Sequence, residues 1–199
     1  MINLIAKEAP DFSAEAVLEN NEITNNLTLA SFRGKYVFLF FYPLDFTFVC
    51  PTEILAFNER IDEFKKKDAV VLGISVDSVY SHLAWKKTPL EKGGIGSINF
   101  PLVSDLKKGI AKNYGVLHND QVALRALFLI DKQGIIRHSV VNDLPFGRSV
   151  NEAMRMLDSL RHFDEYGKLC PADWEEGKTS MEGTDKGVID YLSKFGNKS

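Results

Sequence analysis

The chain has 199 residues, 45% of them hydrophobic and 26% charged, which suits one sizeable core with or without an appendage and not two full domains. Its 27 acidic residues outnumber 24 basic ones, so no cationic surplus exists to neutralise a phosphate backbone, and no nucleic-acid partner is expected. The longest apolar run, Tyr36 to Leu44, is far shorter than the roughly 20 residues of a membrane-spanning helix. Lys7 and Glu8 stand where the apolar centre of a signal segment would lie, so no membrane association is expected.

In chain order, YVFLFF from Tyr36 to Phe41 is a continuous run of β-formers, as in a strand buried on both faces. Ile54, Phe57, Ile61 and Phe64 then recur at helical spacing, which predicts an amphipathic helix from Pro51 to Lys67. AVVLGISV is a second buried strand ending at Val76. A helix is predicted over residues 79–88, stopped by Pro89, then a short strand from Phe100 to Val103 and a helical stretch from Leu106 to Tyr114. ALFLID and IIRHSVV flank Lys132-Gln133-Gly134 and predict a hairpin; Met154, Leu157 and Leu160 mark a last amphipathic helix. The order predicts an α/β protein with a mixed central sheet and helices on both faces, resembling a thioredoxin-like fold. From Tyr166 the composition turns Gly-rich, with only Val188, Ile189, Leu192 and Phe195 as a final apolar group. Residues 1–165 are therefore expected to form the domain, and residues 166–199 an arm that docks elsewhere.

Two cysteines, Cys50 and Cys170, stand 120 positions apart. Two thiols do not staple a deficient core, and without CxxC or clustered histidines no zinc site of ordinary spacing is formed. A reducing compartment, the cytoplasm, is expected. On count alone the thiols are either inert buried residues or redox groups.

The loop before the first long helix separates these readings. Pro43-Leu44-Asp45-Phe46-Thr47-Phe48-Val49-Cys50 is followed by Pro51-Thr52-Glu53, with Pro51 suited to the first helical position, so Cys50 is expected at the N-cap. The orphan amides and the helix dipole there favour a thiolate, and the Thr47 hydroxyl lies one turn earlier. Taken alone, Arg125 at the start of ALFLID is equally an edge charge or a cation that serves the thiolate.

FYPLDFTFVCPTEI, together with HLAWKKTP, GGIGSINFPLVSD, RALFLIDKQGIIRH, VNDLPFGRSV and KLCPADW, closely resembles the typical two-cysteine peroxiredoxins of the alkyl hydroperoxide reductase C type, over nearly the whole chain. The resemblance implies a thiol peroxidase acting on hydrogen peroxide and small organic hydroperoxides, with no metal, haem or flavin in the chain. By position it makes Cys50 the peroxidatic cysteine, Thr47 its hydrogen-bond partner, Pro43 a shield from solvent and Arg125 the guanidinium that stabilises thiolate and peroxide. Glu53 and Arg148 become candidates for orienting Arg125; Trp85 matches a position near the resolving region, although packing explains it equally well.

Cys170 would be the resolving thiol, supplied by the partner subunit of a head-to-tail homodimer, and the disulfide would be reduced by a thioredoxin or a flavoprotein disulfide reductase. Dimers are expected through the edge strand near Ile135 to Val141, and five dimers in a decameric ring, with Phe46, Val79 and Tyr80 at the contacts. Gly93-Gly94-Ile95-Gly96 matches the family's GG-x-G loop, but Tyr191 is followed by Leu192 where the family has Tyr-Phe, so intermediate sensitivity to over-oxidation is expected. A thioredoxin-like disulfide oxidoreductase lacks its CxxC here, and a chaperone in which the cysteines are incidental predicts no loss of activity in Cys50→Ser. A P-loop at Gly177-Lys178-Thr179 would need glycine where Ala172 stands.

Overall fold

The computed structural model describes residues 3–196, and the chain divides after Val150 into two compact units. The first unit opens with a hairpin of β1 (Ser13–Val17) and β2 (Ile23–Thr28), followed by β3 (Tyr36–Phe41), α1 (Cys50–Glu59) and α2 (Ile61–Lys66). It continues through β4 (Ala69–Ser75), α3 (Val79–Lys87), β5 (Leu102–Ser104) and α4 (Gly109–Asn113). The short pair β6 (Leu117–His118) and β7 (Val122–Ala123) precedes the hairpin of β8 (Arg125–Ile130) and β9 (Ile136–Asn142). The second unit contains all of α5 (Val150–Tyr166) but its first residue, and α6 (Asp185–Phe195).

Seven strands form one sheet in the order β2-β1-β5-β4-β3-β8-β9. β3, β4 and β5 run parallel at its centre, and β8 joins β3 antiparallel. Every residue of β3 is buried, which is why its sequence shows no alternation. Its side chains still divide between two faces. Phe38 meets Phe64 at 5.2 Å between centroids and Phe40 meets Phe57 at 4.9 Å, so α1 and α2 cover one face. Phe41 packs on the other face with Tyr114 and Phe128, which touch each other at 5.1 Å. Each fully buried aromatic contributes about 1.5–3 kcal/mol of transfer free energy, so this double layer holds the strand whose end carries the thiol loop.

The helix expected over residues 51–67 is divided at Arg60, which leaves helical geometry (φ −107°, ψ 11°) and whose amide reaches back to the Phe57 carbonyl. α4 is shorter than expected because Lys108 adopts φ +60° and the Asp105 carboxylate takes the amides of Ile110 and Ala111 at 3.0 and 2.7 Å. That carboxylate caps the helix only after the turn of residues 106–108. The hairpin forms as expected, its turn closed by the buried Asp131 carboxylate on the amides of Gln133 and Ile135. β9 pairs with β8 and forms one edge of the sheet, and at its start Ile136 also bonds the backbone of Ala6 and Lys7 at 2.9 and 3.0 Å.

The Gly93–Gly96 loop is packed against the end of α3. Its amides at Ile95 and Gly96 bond the carbonyls of Trp85 and Thr88, and a Cβ on Gly94 would lie 1.8 Å from the Thr88 carbonyl oxygen. Backbone cannot retreat as a side-chain tip can, so Gly94→Ala is expected to cost about 1–3 kcal/mol, the range of overpacked sites. Urea denaturation measures this; an unchanged midpoint would mean that the loop relaxes freely.

Candidate active site

The loop from β3 to α1 carries the Cys50 thiol, and Cys50 has no exposed surface. The helix begins one residue earlier than expected: Val49 is the N-cap, already in helical geometry, and Cys50 is the first helical residue, so the thiol does not occupy the cap. The amides of Thr52 and Glu53 close on the Val49 carbonyl instead. The sulfur's hydrogen-bond partners are the Thr47 hydroxyl at 3.0 Å and Arg125 Nη1 at 3.4 Å.

Thr47 Oγ1 is also 2.9 Å from the Leu44 carbonyl, and a hydroxyl has one proton for two acceptors. With a thiol at Cys50, S–H donates to Thr47 and Thr47 donates to Leu44. With a thiolate, the hydroxyl proton turns to the sulfur. The residue can thus serve both protonation states without moving its oxygen.

Arg125 is fixed from two sides. Its Nε donates to the Leu144 carbonyl at 2.5 Å and its Nη1 donates to Glu53 Oε2 at 2.8 Å. Glu53, whose side chain is 3% exposed, also takes the Arg148 guanidinium through Nε at 2.8 Å and Nη2 at 3.0 Å, and the Arg148 amide at 2.8 Å. Arg148 Nη1 donates further to the carbonyls of Phe41 and Ala126 at 2.7 and 2.6 Å, and its guanidinium lies 3.9 Å above the Phe40 ring. Burial lowers the Arg148 pKa, while hydrogen bonding and charge from Glu53 oppose that shift. Two guanidiniums and one carboxylate leave one net positive charge beside the sulfur. A thiolate neutralises it and a thiol does not.

A second network, absent from the sequence reading, holds the loop from the other side. The buried Asp45 carboxylate accepts from Tyr42 Oη at 2.8 Å and Ser81 Oγ at 2.7 Å and meets His82 Nδ1 at 2.8 Å, while His82 Nε2 faces the Val103 carbonyl. The Asp45 amide donates to Asp77. Burial, then the Asp45 charge, pushes the Tyr42 phenol up, so it remains a donor. Phe46 takes the left-handed conformation (φ +52°), rare for a bulky residue, and its ring rests on Trp85 at 5.8 Å. Trp85 is wholly buried, with its indole N–H on the Gly93 carbonyl. It therefore supports the loop through Phe46. Pro43 is buried at the start of this turn, Phe46 and Tyr80 are exposed, and Val79 is buried.

The model of the AhpC/TSA family matches residues 5–139, and a model described as the C-terminal domain of 1-Cys peroxiredoxin matches residues 159–194. The chain belongs to the AhpC/TSA family, the peroxiredoxins. It is 52% identical to alkyl hydroperoxide reductase C of Helicobacter pylori strain J99, over 96% of this chain and 97% of that protein. Mouse peroxiredoxin-2 is 49% identical, over 96% of each chain. The reduced 2-Cys peroxiredoxin structure from Plasmodium vivax superposes with a TM-score of 0.95 at 52% identity, covering 96% of this chain and all of that one. The mixed sheet is thus the thioredoxin-like fold of peroxiredoxins, and the chain is a thiol-dependent peroxidase.

Cys170 lies in the second unit of this peroxiredoxin chain and is a free thiol, as is Cys50. Its sulfur is 3.6 Å from the Ser159 carbonyl of α5, and burial raises its pKa. Among the described residues no cluster of His, Cys, Asp or Glu suited to a metal ion is found, and no helix is long and apolar enough to cross a membrane.

Glu53 gives the site its most direct stability test. Removing one member of a buried ion pair costs about 3–5 kcal/mol, so Glu53→Ala should lose that much in denaturant unfolding. A loss within the error of the wild-type value would show that the two arginines do not depend on it.

Proposed function

We propose that the chain reduces hydrogen peroxide and small organic hydroperoxides through the Cys50 thiolate, with Cys170 of a partner subunit as the resolving thiol. The observation that carries this is a fully buried sulfur contacted by Thr47 and Arg125 on the Glu53–Arg148 frame. The thiolate attacks one peroxide oxygen, the O–O bond breaks, and its electron pair leaves on the second oxygen, which takes up a proton as water or alcohol. Cys50 becomes the sulfenic acid. Donors aimed at the second oxygen act as the charge develops there, which raises the rate and not merely the affinity. Arg125 and Thr47 are those donors, Glu53 and Arg148 orient Arg125, Trp85 supports the loop, and Pro43 keeps water from the sulfur. The chemistry uses thiols alone, without metal, haem or flavin.

The Cys170 thiol then condenses with the sulfenic acid, releasing water and forming a disulfide that protects Cys50 from further oxidation. Thioredoxin or a flavoprotein disulfide reductase returns the thiols in a reducing cytoplasm. Beyond Ile136, β9 has no further strand beside it among the described residues, which supports a head-to-tail homodimer paired there, and the exposed Phe46 and Tyr80 suit a decamer of such dimers.

Stopped-flow mixing with peroxide tests the assignment. Cys50→Ser is expected to abolish turnover, and Cys170→Ser to allow one oxidation and then stall; sustained turnover in Cys50→Ser overturns the proposal. Because the attacking species is the thiolate and burial raises the Cys170 pKa, disulfide formation should still accelerate above about pH 8.5, the ordinary thiol midpoint. A plateau below that pH would contradict the role given to Cys170.

A further inference from the structure

Within the second unit, residues 169–181 form a closed loop. Leu169 and Met181 bond each other's backbone in both directions, at 2.8 and 2.9 Å, so the loop is pinched shut directly before Cys170. Asp173 (φ +55°) turns the chain, and Trp174, 3% exposed, points its ring inward with its indole N–H on the Lys178 carbonyl at 3.0 Å. The ring lies 4.7 Å from that of His162, and His162 lies 4.9 Å from Tyr166 on the same helix. His162 Nε2 is enclosed with no hydrogen-bond partner among the described residues, so the imidazole meets Trp174 as a packing surface.

One helix face holds every attachment. Arg155 Nη1 donates to the Trp174 carbonyl at 3.1 Å, and Arg155 is itself fixed by Glu152 through two bonds of 2.6 and 2.7 Å. One turn on, the Ser159 carbonyl faces the Cys170 sulfur, and His162 follows. Loop and helix are therefore joined by a thiol contact, a guanidinium and a tilted ring contact. The contact with the Ser159 carbonyl uses the Cys170 S–H proton, which a disulfide no longer carries, so Cys170 gives up this contact when the bond forms.

We propose that the Trp174–His162 ring contact is the latch of the Cys170 loop, which must unseat before Cys170 can condense with the Cys50 sulfenic acid. Trp174 and His162 are positioning residues, acting through Cys170 and touching no peroxide. The inference rests on the resolving role of Cys170 proposed above. Its consequence is a division of fates: a tightly seated latch lengthens the life of the sulfenic acid, and a second peroxide then oxidises it to the sulfinate.

The test uses the full chain and hydrogen peroxide, with an early phase reading Cys50 oxidation and a later one disulfide formation. His162→Ala is expected to accelerate the later phase about three- to tenfold, the factor that follows from losing one aromatic pair. The early phase should be unchanged, and the sulfinate fraction by mass spectrometry should fall. His162→Leu, which fills the space without a ring, should behave likewise, and His162→Phe should restore wild-type rates. Iodoacetamide should label Cys170 faster in His162→Ala when Cys50 is Ser. A later phase unchanged or slowed in both the Ala and Leu variants, with the early phase intact, overturns the latch. Failure of the underlying reading looks different: the later phase would persist in Cys170→Ser.

Discussion

The site depends on one buried carboxylate. Glu53 receives Arg125 Nη1, two groups of the Arg148 guanidinium and the Arg148 amide, so both its oxygens are occupied by charged or backbone donors. Without it, two guanidiniums would stand close together in a desolvated pocket and repel each other. With it, they are held at fixed positions, and the cluster keeps one uncompensated positive charge next to the sulfur. The same residue thus permits the arginines to be buried and leaves the charge that a thiolate answers.

The sheet supplies the geometry that lets three distant segments meet there. The β3–β8 ladder runs from Val37 and Ile130 to Phe40 and Leu127, and one rung further the Phe41 and Ala126 carbonyls both accept from Arg148 Nη1. Arg148 therefore takes over at the point where the strands stop pairing. Its position is referred directly to the backbone of β3, which leads into the thiol loop, and of β8, which begins with Arg125. Burial of Phe40 beneath the guanidinium and of Phe57 beneath Phe40 ties this end of the sheet to α1. Core packing and the charged frame are one arrangement, since moving α1 would move Cys50 and Glu53 together.

What could be read from the sequence follows the same physics. β3, β4 and β8 were legible because strands that build the core show unbroken apolar runs, and β9 because it follows the turn at Lys132-Gln133-Gly134, whereas β1 and β2, SAEAV and ITNNLT, carry no such run. α6 was legible only as an apolar group. Its start at Thr184, whose hydroxyl takes the Gly187 amide, is a capping signal that Gly-rich surroundings conceal. Cys50, Thr47 and Arg125 stood out through the compound loop pattern and the family resemblance. The Asp45–His82 network did not, because its members are 37 positions apart and neither residue belongs to a recognisable spacing. Val49 displaced Cys50 from the cap because its backbone is already helical, something that a proline at position 51 cannot reveal.

The two thiols are restrained by opposite means. Cys50 sits where a hydroxyl and a guanidinium can both donate to sulfur. Cys170 faces a carbonyl, which can only accept from it, and burial raises its pKa. For any sulfur–sulfur bond Cys50 must also leave its pocket, and the backbone bonds resisting this include those of Thr52 and Glu53 to Val49. Glu53 marks where such opening meets greatest resistance, since its side chain is tied to Arg125 and Arg148 and not to the helix. The carboxylate that orders the sulfur's charges thereby also limits how much of α1 can be given up when the sulfur moves.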